Sequence, residues 1–277
     1  MKTIKTILIL CVAICFATSC NKDVDMTLVQ KTLFENADIR QIEVSDAWEV
    51  TVVADNNTFV ELEYSAYLEE HIKAKMEGTE LELGFTGSTY PVISSVFRAT
   101  VHTSQLEKLE VEDAAHIQCS GEFSGQSIEI GLSDAAKCNG LIFVGERCNI
   151  NMEDAALLTG LQFEGNTCKA ILEDASQFNG QIHANDQFEV ELESASRFVN
   201  KGGETNQASI KLQNASILNM VETQVEEMHI ELTSGSEATV WVHNLLEGTL
   251  KEASILNYKG HPQIQVECSE DSVIQPI

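Results

Sequence analysis

The residues best placed for chemistry are four aspartates that recur in the middle of the chain. Asp113, Asp134, Asp154 and Asp174 are 21, 20 and 20 residues apart, and three of them directly follow a glutamate. Carboxylate oxygens are the ligands that calcium prefers, so a stacked row of aspartates could form a cation ladder. Aspartate is also a residue that accepts left-handed backbone conformations at turns. The same spacing therefore also fits a repeated backbone bend.

The row continues past the aspartates with other residue types. The next four positions are Ser194, Asn214, Ser234 and Glu252, at intervals of 20, 20, 20 and 18 residues. A set of metal ligands would not change to serine and asparagine, whereas these residues suit turns. We therefore expect a bend and predict no metal, cofactor or catalytic residue. Calcium binding by the four aspartates remains the alternative.

The elements that carry this row show strand periodicity. Two residues before each of these eight positions the side chain is always apolar, and four residues before it is mostly apolar. This spacing of two indicates strands with one buried face. The apolar residues two positions before are Val111, Leu132, Met152, Leu172, Leu192, Leu212, Leu232 and Leu250.

Repetition of such units predicts the fold class. Each unit of about 20 residues has room for three short strands and three bends, with no helical period and almost no proline. Stacked units of this kind form an all-β, single-stranded parallel β-helix, or β-solenoid, in which each strand pairs with its counterpart one turn away. Eight turns at about 4.8 Å each would span roughly 40 Å. The handedness of the coil and its oligomeric state are left open.

Matched positions in neighbouring units predict ladders of side chains in the core. Phe143 and Phe163 share one position, and Cys148 and Cys168 share another. Five cysteines follow Cys20, and none lies in a CxxC motif, so we expect small core residues. A Cys148–Cys168 disulfide stays possible, because neighbouring turns bring the two Cα atoms within bonding range.

The chain divides into five segments. Residues 1–19 are a signal peptide, 20–36 a tether, 37–106 an irregular β region, 107–262 the regular solenoid and 263–277 a C-terminal cap. Residues 37–106 alternate apolar and polar side chains between turn sequences, and they fit either opening turns of the solenoid or a small β cap.

The N-terminal segment predicts export and lipidation. Lys2 and Lys5 precede a short apolar run, residues 7–16, and "ATSC" follows at 17–20. Small residues before a cysteine resemble a bacterial lipobox, which would make Cys20 the acylated first residue. An ordinary signal peptide with a chance cysteine is the alternative. The following "NKDVDM" resembles a surface-export signal of Bacteroidetes lipoproteins, so we expect a lipid-anchored, surface-exposed protein of the outer membrane.

Charge limits the possible partners. The formal net charge is −26, and the chain has 17 lysines and arginines against 43 acidic residues. Nucleic-acid binding requires a cationic surface, so that class is excluded. Membrane contact is expected only through the lipid anchor, and the ligand would be a protein or a glycan. Trp48 and Trp241 are the best candidates for rings that stack on sugars.

The repeats resemble a known family. Units such as "LTSGS", "LSDAA" and "LQNAS", behind a lipoprotein signal and an irregular β region, are similar to the putative auto-transporter adhesin, head GIN domain family. The resemblance covers roughly residues 37–270. This chain differs by placing Asp, Asn, Ser or Glu where the family tends to have glycine, and by lacking the GIN tripeptide. The resemblance implies a β-helix on the cell exterior.

These observations lead to a functional expectation and two alternatives. We expect a non-enzymatic, lipid-anchored surface protein that acts as an adhesin or binding module. A glycan-processing β-helix enzyme is one alternative, but the near-uniform units leave no long loops to build a substrate groove. A purely structural envelope protein is the other.

Overall fold

The computed structural model describes residues 24–87 and 91–277. The predicted signal peptide and the predicted lipidation site Cys20 lie outside these residues. In the described ranges no helix is long and apolar enough to cross a membrane. One short 3₁₀ helix occurs, at Ala66–Leu68, and the other regular elements are strands.

The N-terminal region contains seven strands. They are β1 Leu28–Leu33, β2 Gln41–Val44, β3 Glu49–Ala54, β4 Phe59–Ser65, β5 Ile72–Glu77, β6 Glu80–Phe85 and β7 Phe97–Thr103. Five of them, β2, β3, β4, β6 and β7, have buried side chains.

Fourteen strands follow and form the coil. They are β8 Lys108–Val111, β9 His116–Ser120, β10 Glu122–Leu132, β11 Lys137–Asn139, β12 Ile142–Met152, β13 Leu157–Leu172, β14 Gln177–Leu192, β15 Arg197–Asn200, β16 Glu204–Leu212, β17 Ile217–Leu232, β18 Glu237–Leu250, β19 Ile255–Lys259, β20 Gln263–Cys268 and β21 Val273–Pro276.

The strand pairing confirms the predicted β-solenoid. Among β8 to β21 every pairing is parallel and joins residues about 20 positions apart, as for Ile150 with Ala170 and Ala170 with Val190. In β13, β14 and β17 the three faces of a turn belong to one bent strand of 16 residues. There the predicted second and third bends appear as register shifts, such as the one between Thr159 and Gln162.

The one sharp turn in each unit falls on the repeated position. In the turn of Glu153 to Ala156, Asp154 and Ala155 have φ values of 53° and 60°. The Ala156 N–H donates to the Glu153 carbonyl over 3.2 Å. Two successive left-handed residues closed by this hydrogen bond define a type I′ turn. The Ala155 N–H donates to the Asp174 carbonyl of the next turn over 2.8 Å, so the corners are themselves joined by backbone hydrogen bonds.

The interior consists of the predicted ladders. Phe143 and Phe163 are paired in register, with ring centroids 6.5 Å apart and planes 15° from parallel. Phe178 and Phe198 stack more closely, at 4.3 Å. The eight apolar residues two positions before the corners are all buried. Because these side chains come from successive turns, burial of the same position throughout the coil forms one continuous core.

The cysteines in the coil are core residues. Cys148 and Cys168 face each other in register and are buried as free thiols, as are Cys119 and Cys138, whereas Cys268 is exposed. Burial raises the pKa of the Cys168 thiol well above its usual value, and its hydrogen bond with Cys148 acts in the same direction. A thiol held in this protonated state is a poor nucleophile.

The two ends of the coil differ. β2 and β3 pair with β8 and β9 and form an opening turn. On their other edges β6 and β7 pair in parallel, and antiparallel strands β5, β4 and β1 extend the sheets further. At the C-terminal end β20 and β21 pair with β18 and β19. Within the described residues, no strand pairs with the other edge of β20 or β21.

Candidate functional site

The aspartate row lies along one exposed corner of the coil. All four side chains are exposed, and their residues have φ values between 49° and 53°. Within the described ranges, one group of three acidic ligand atoms lies within 4.8 Å of one another, and it contains none of these aspartates. The structure therefore places the row at the predicted bend and does not gather its carboxylates around a common point.

The acidic group that does converge is in the opening turn. It comprises Glu43 on β2 and Glu80 and Glu82 on β6. The Lys73 ammonium lies 2.7 Å from a Glu82 carboxylate oxygen and partly neutralises the group. Burial raises the pKa of Glu43, and the nearby Glu82 carboxylate contributes. The group of three carboxylates is therefore already partnered by a cation of the protein itself.

Sequence reasoning missed this cluster for a topological reason. Glu43 and Glu82 are register partners across the parallel pair β2–β6, although they are 39 positions apart. The pairing lies outside the 20-residue repeat, so no periodicity links the two residues. Alternating "IEV" and "ELELG" segments were the available signal, but they do not specify which strands are neighbours.

A His–Asp pair in the N-terminal region comes nearest to a catalytic arrangement. His102 Nδ1 lies 3.1 Å from an Asp55 carboxylate oxygen, and its ring stacks on Phe59 with centroids 4.1 Å apart. Its Nε2 faces the Glu61 carboxylate at 3.9 Å. In the part of the chain that the structure describes, no hydroxyl or thiol is hydrogen-bonded to this imidazole. Because the Glu61 carboxylate, and not a nucleophile, faces Nε2, the imidazole is arranged for an ion pair and not for activating a nucleophile.

The side of the coil carries an open, acidic depression of about 380 Å³. Its floor is formed where Gly131 interrupts the outward side chains of β10, and Lys108 is its one cationic residue. The surrounding acidic residues are Glu110, Glu112, Glu129, Glu153 and Glu173. A wide depression with one sign of charge can attract cations or cationic segments, but it does not enclose a substrate.

The two tryptophans occupy opposite environments. Trp48, predicted as a candidate for sugar stacking, is fully buried, with its ring centroid 5.8 Å from that of Phe85. That prediction was wrong, because Trp48 points into the opening turn, where the core of the coil begins. Trp241 is half-buried on β18, and the Lys259 ammonium lies 3.5 Å from its ring centroid.

Trp241 forms part of an open cavity near the C-terminal end. The cavity has a volume of about 750 Å³ and is lined by Trp241, Tyr258, Lys259, Gly260, His261, Pro262, Pro276 and Ile277. Gly260 packs closely here, because a Cβ at this position would lie 2.0 Å from the Val242 carbonyl oxygen. Aromatic faces beside an ammonium and an imidazole offer both stacking and hydrogen-bond donors.

The fold and these surfaces define a class of protein. The chain is a parallel β-solenoid with uniform short corners and open, shallow depressions on its surface. A family model for the putative auto-transporter adhesin, head GIN domain, matches residues 38–262. The chain belongs to this family, as its repeats predicted.

Solved structures with the same fold are distant in sequence. A putative adhesin from Parabacteroides merdae ATCC 43184 aligns with a TM-score of 0.67 and 13% identity, covering 92% of this chain and 98% of that one. A putative lipid binding protein from Parabacteroides distasonis ATCC 8503 aligns with a TM-score of 0.65 and 13% identity, with the same coverage. A putative adhesin from the same strain aligns with 0.62 and 14%, again covering 92% and 98%. At these sequence identities the similarity to the solved structures shows only a shared fold. A search of curated proteins found no match to the chain.

Proposed function

We propose that this protein is a lipid-anchored, non-enzymatic adhesin of the outer-membrane surface, which binds a protein or glycan ligand. Its membership of a family described as adhesins supports the binding role. The lipobox-like "ATSC" supports acylation of Cys20. The net charge of −26 argues against nucleic acid as the ligand.

The observation that carries the proposal is the Trp241 cavity. Trp241 lies about seven turns from β2 and β3, so at about 4.8 Å per turn it is roughly 30–40 Å from the end where the anchored segment enters. Tyr258 and His261 line the same cavity, and Lys259 covers part of the indole. A ligand that replaces Lys259 on the ring could stack there while the ammonium donates to its oxygens.

The non-enzymatic part of the proposal rests on the uniform backbone. Every corner from Asp113 to Glu252 has its repeated residue in the left-handed region, and no long insertion builds a wall around a depression. Glycoside hydrolysis needs two facing carboxyl groups around a bound sugar. The convergent acids Glu43, Glu80 and Glu82 instead lie on one sheet face beside Lys73.

A glycan and host-protein array probed with residues 21–277 tests the binding role. We expect selective binding, with a loss of at least tenfold in affinity for Trp241→Ala and a smaller loss for Lys259→Ala. Trp241→Phe is the control, because it keeps a ring in the cavity. Binding that is unchanged in Trp241→Ala would reject this cavity as the site, and absence of any ligand would reject the adhesin role. Turnover of any member of a polysaccharide panel would favour the enzyme.

A further inference from the structure

An exposed apolar patch lies beside the point where the described chain begins. Met26, Leu28, Val92 and Ile93 are 37%, 51%, 43% and 97% exposed, and Ile93 has almost no cover from the described residues. Met26 and Leu28 lie near the beginning of the described residues, and Val92 and Ile93 precede β7. Exposed clusters of this kind mark contact sites, whereas single exposed apolar residues need no explanation.

Hydrogen bonds bring the two segments together at the end of the sheet where β1 and β7 begin. The Tyr67 N–H donates to the Asp25 carbonyl over 3.2 Å, and the Ala66 N–H donates to the Thr27 carbonyl over 2.8 Å. On the other side, the Val92 N–H donates to the Tyr67 hydroxyl oxygen over 2.9 Å. Tyr67 therefore connects the segment that contains Met26 with the segment that contains Ile93.

The strand order confirms this proximity. Leu28 is the register partner of Ser65. The Ser65 N–H donates to the Val96 carbonyl over 2.9 Å, and the Val96 N–H donates to the Ser65 hydroxyl oxygen over 3.0 Å. Thus β1 and β7 begin, and β4 ends, at the same end of the sheet. The segment before β7 is held by a turn, because the Ser95 N–H and hydroxyl both donate to the Val92 carbonyl, over 3.0 Å and 2.6 Å.

The position of the patch in the chain identifies what covers it. Asp25 follows Cys20 by five residues, and a chain spans at most about 3.3–3.6 Å per residue. Met26 is one residue further on, so the patch begins within about 22 Å of the proposed acylated residue, and this short tether keeps it near the headgroup region. Among the described residues, those at the start of this stretch have the shortest chain connection to Cys20.

The geometry points to a lipid-contacting surface formed by Met26, Leu28, Val92 and Ile93, which rests in the interfacial region of the membrane that holds Cys20. This inference relies on the proposed anchor and adds an orientation to it. The acyl chains attach the protein to the membrane, and the patch determines that the end of the sheet where β1 and β7 begin faces the lipid. Asp25 adjoins Met26 and the chain has a net charge of −26, so we expect this apolar contact to favour zwitterionic over anionic lipid. The Trp241 cavity is then held away from the membrane.

Site-specific labelling of the acylated full-length protein tests the inference. In a Cys268→Ser background, which removes the exposed thiol, a polarity-sensitive fluorophore is attached to Ile93→Cys. The matched control is Ile217→Cys, an isoleucine on β17 that is 38% exposed. In phosphatidylcholine vesicles with nitroxide-labelled lipids we expect the label at 93 to shift to the blue and to be quenched at least threefold more than the label at 217. Equal quenching at the two positions would overturn the inference.

A second arrangement separates failure of the patch from failure of the anchor. Vesicle flotation measures membrane anchoring, and Cys20→Ser should abolish flotation even if the patch contacts lipid. If the unaltered protein does not float, the anchor proposal fails. The same two labels are then compared on residues 21–277 held by an N-terminal histidine tag on nickel-chelating lipid. The contrast between positions 93 and 217 should persist there, and Met26→Asp with Leu28→Asp should remove it. A contrast that survives these substitutions would contradict the lipid-contacting patch.

Discussion

The first and second halves of the regular coil have the same backbone corner but different residues in it. At Asp154 and Ala155 the φ values are 53° and 60°, and at Asn214 and Ala215 they are 55° and 61°. The corner N–H donates to the next turn over 2.8 Å in the first case and 2.9 Å in the second. Because the conformation persists when the carboxylate is replaced, the corner depends on residues that tolerate left-handed backbone and not on charge.

A second difference between the halves lies two residues after the corner position. Ala115, Ala136 and Ala156 occupy it in the first half, and serine occupies it from Ser176 onward; all of these residues are buried. The Ser196, Ser216, Ser236 and Ser254 hydroxyls each donate over 2.7 Å to the carbonyl three residues earlier. In these four corners the serine hydroxyl therefore makes a hydrogen bond that alanine cannot make.

The largest predicted effect is the same in both halves. Leu172→Ala and Leu212→Ala each remove a fully buried side chain from the same ladder. Each should lower the free energy of unfolding by about 2–5 kcal/mol, because the rigid neighbouring turns cannot fill the cavity. Urea unfolding measures both. A much larger loss at one position would show that the two halves of the ladder are not equivalent.

Substitution of the corner residue by valine should have the next largest effect. Asp154→Val and Asn214→Val place a β-branched side chain at a left-handed φ and should each cost about 1–2 kcal/mol. Asp154→Asn is the control and should have little effect. If Asp154→Asn were as destabilising as Asp154→Val, the carboxylate itself would matter, and the comparison between the halves would fail.

Two serines at the same register position give a smaller and more selective test. Ser216→Ala removes a buried hydrogen bond and should cost about 0.5–1.5 kcal/mol. The Ser176 hydroxyl is buried without a hydrogen-bond partner in the described structure, so Ser176→Ala should be neutral or slightly stabilising. Thermal unfolding of the two variants compares them directly. An equal loss of stability in both would contradict the assignment of these hydrogen bonds.

The opening turn differs from the coil in having acids that face one another across strands. Burial raises the pKa of Glu43 above its ordinary value of 4.5. The folded state therefore binds more protons than the unfolded state above that value, and this contribution to stability is lost as pH rises through the folded pKa. Glu43→Gln should stabilise the protein at pH 7 but not at pH 4. A pH-independent difference in melting temperature would contradict this cause.

Much of the coil was predictable because its repeat constrains each residue several times over. The burial of Leu172, the Phe143–Phe163 stack and the Cys148–Cys168 register all follow from one 20-residue period. The burial of Trp48 was also open to prediction, since Trp48 lies two residues after Asp46 in a corner of the same left-handed form, at the position that is buried in every later corner. The cluster of Glu43, Glu80 and Glu82 and the approach of Met26 to Ile93 depend on long-range pairing of non-repeating strands. These contacts are set by tertiary packing, so local patterns do not encode them.

The central claim is that the recurring acid motif is a structural corner and that ligand contact takes place elsewhere. Its most direct test is the melting temperature in millimolar calcium and in excess chelator, for the unaltered protein and for a variant with Asp113, Asp134, Asp154 and Asp174 all changed to Asn. We predict the same melting temperature in both solutions for each protein, with the variant equal or slightly higher because carboxylate repulsion is removed. A calcium-dependent rise in the unaltered protein that the variant loses would contradict the claim and identify the row as a cation site.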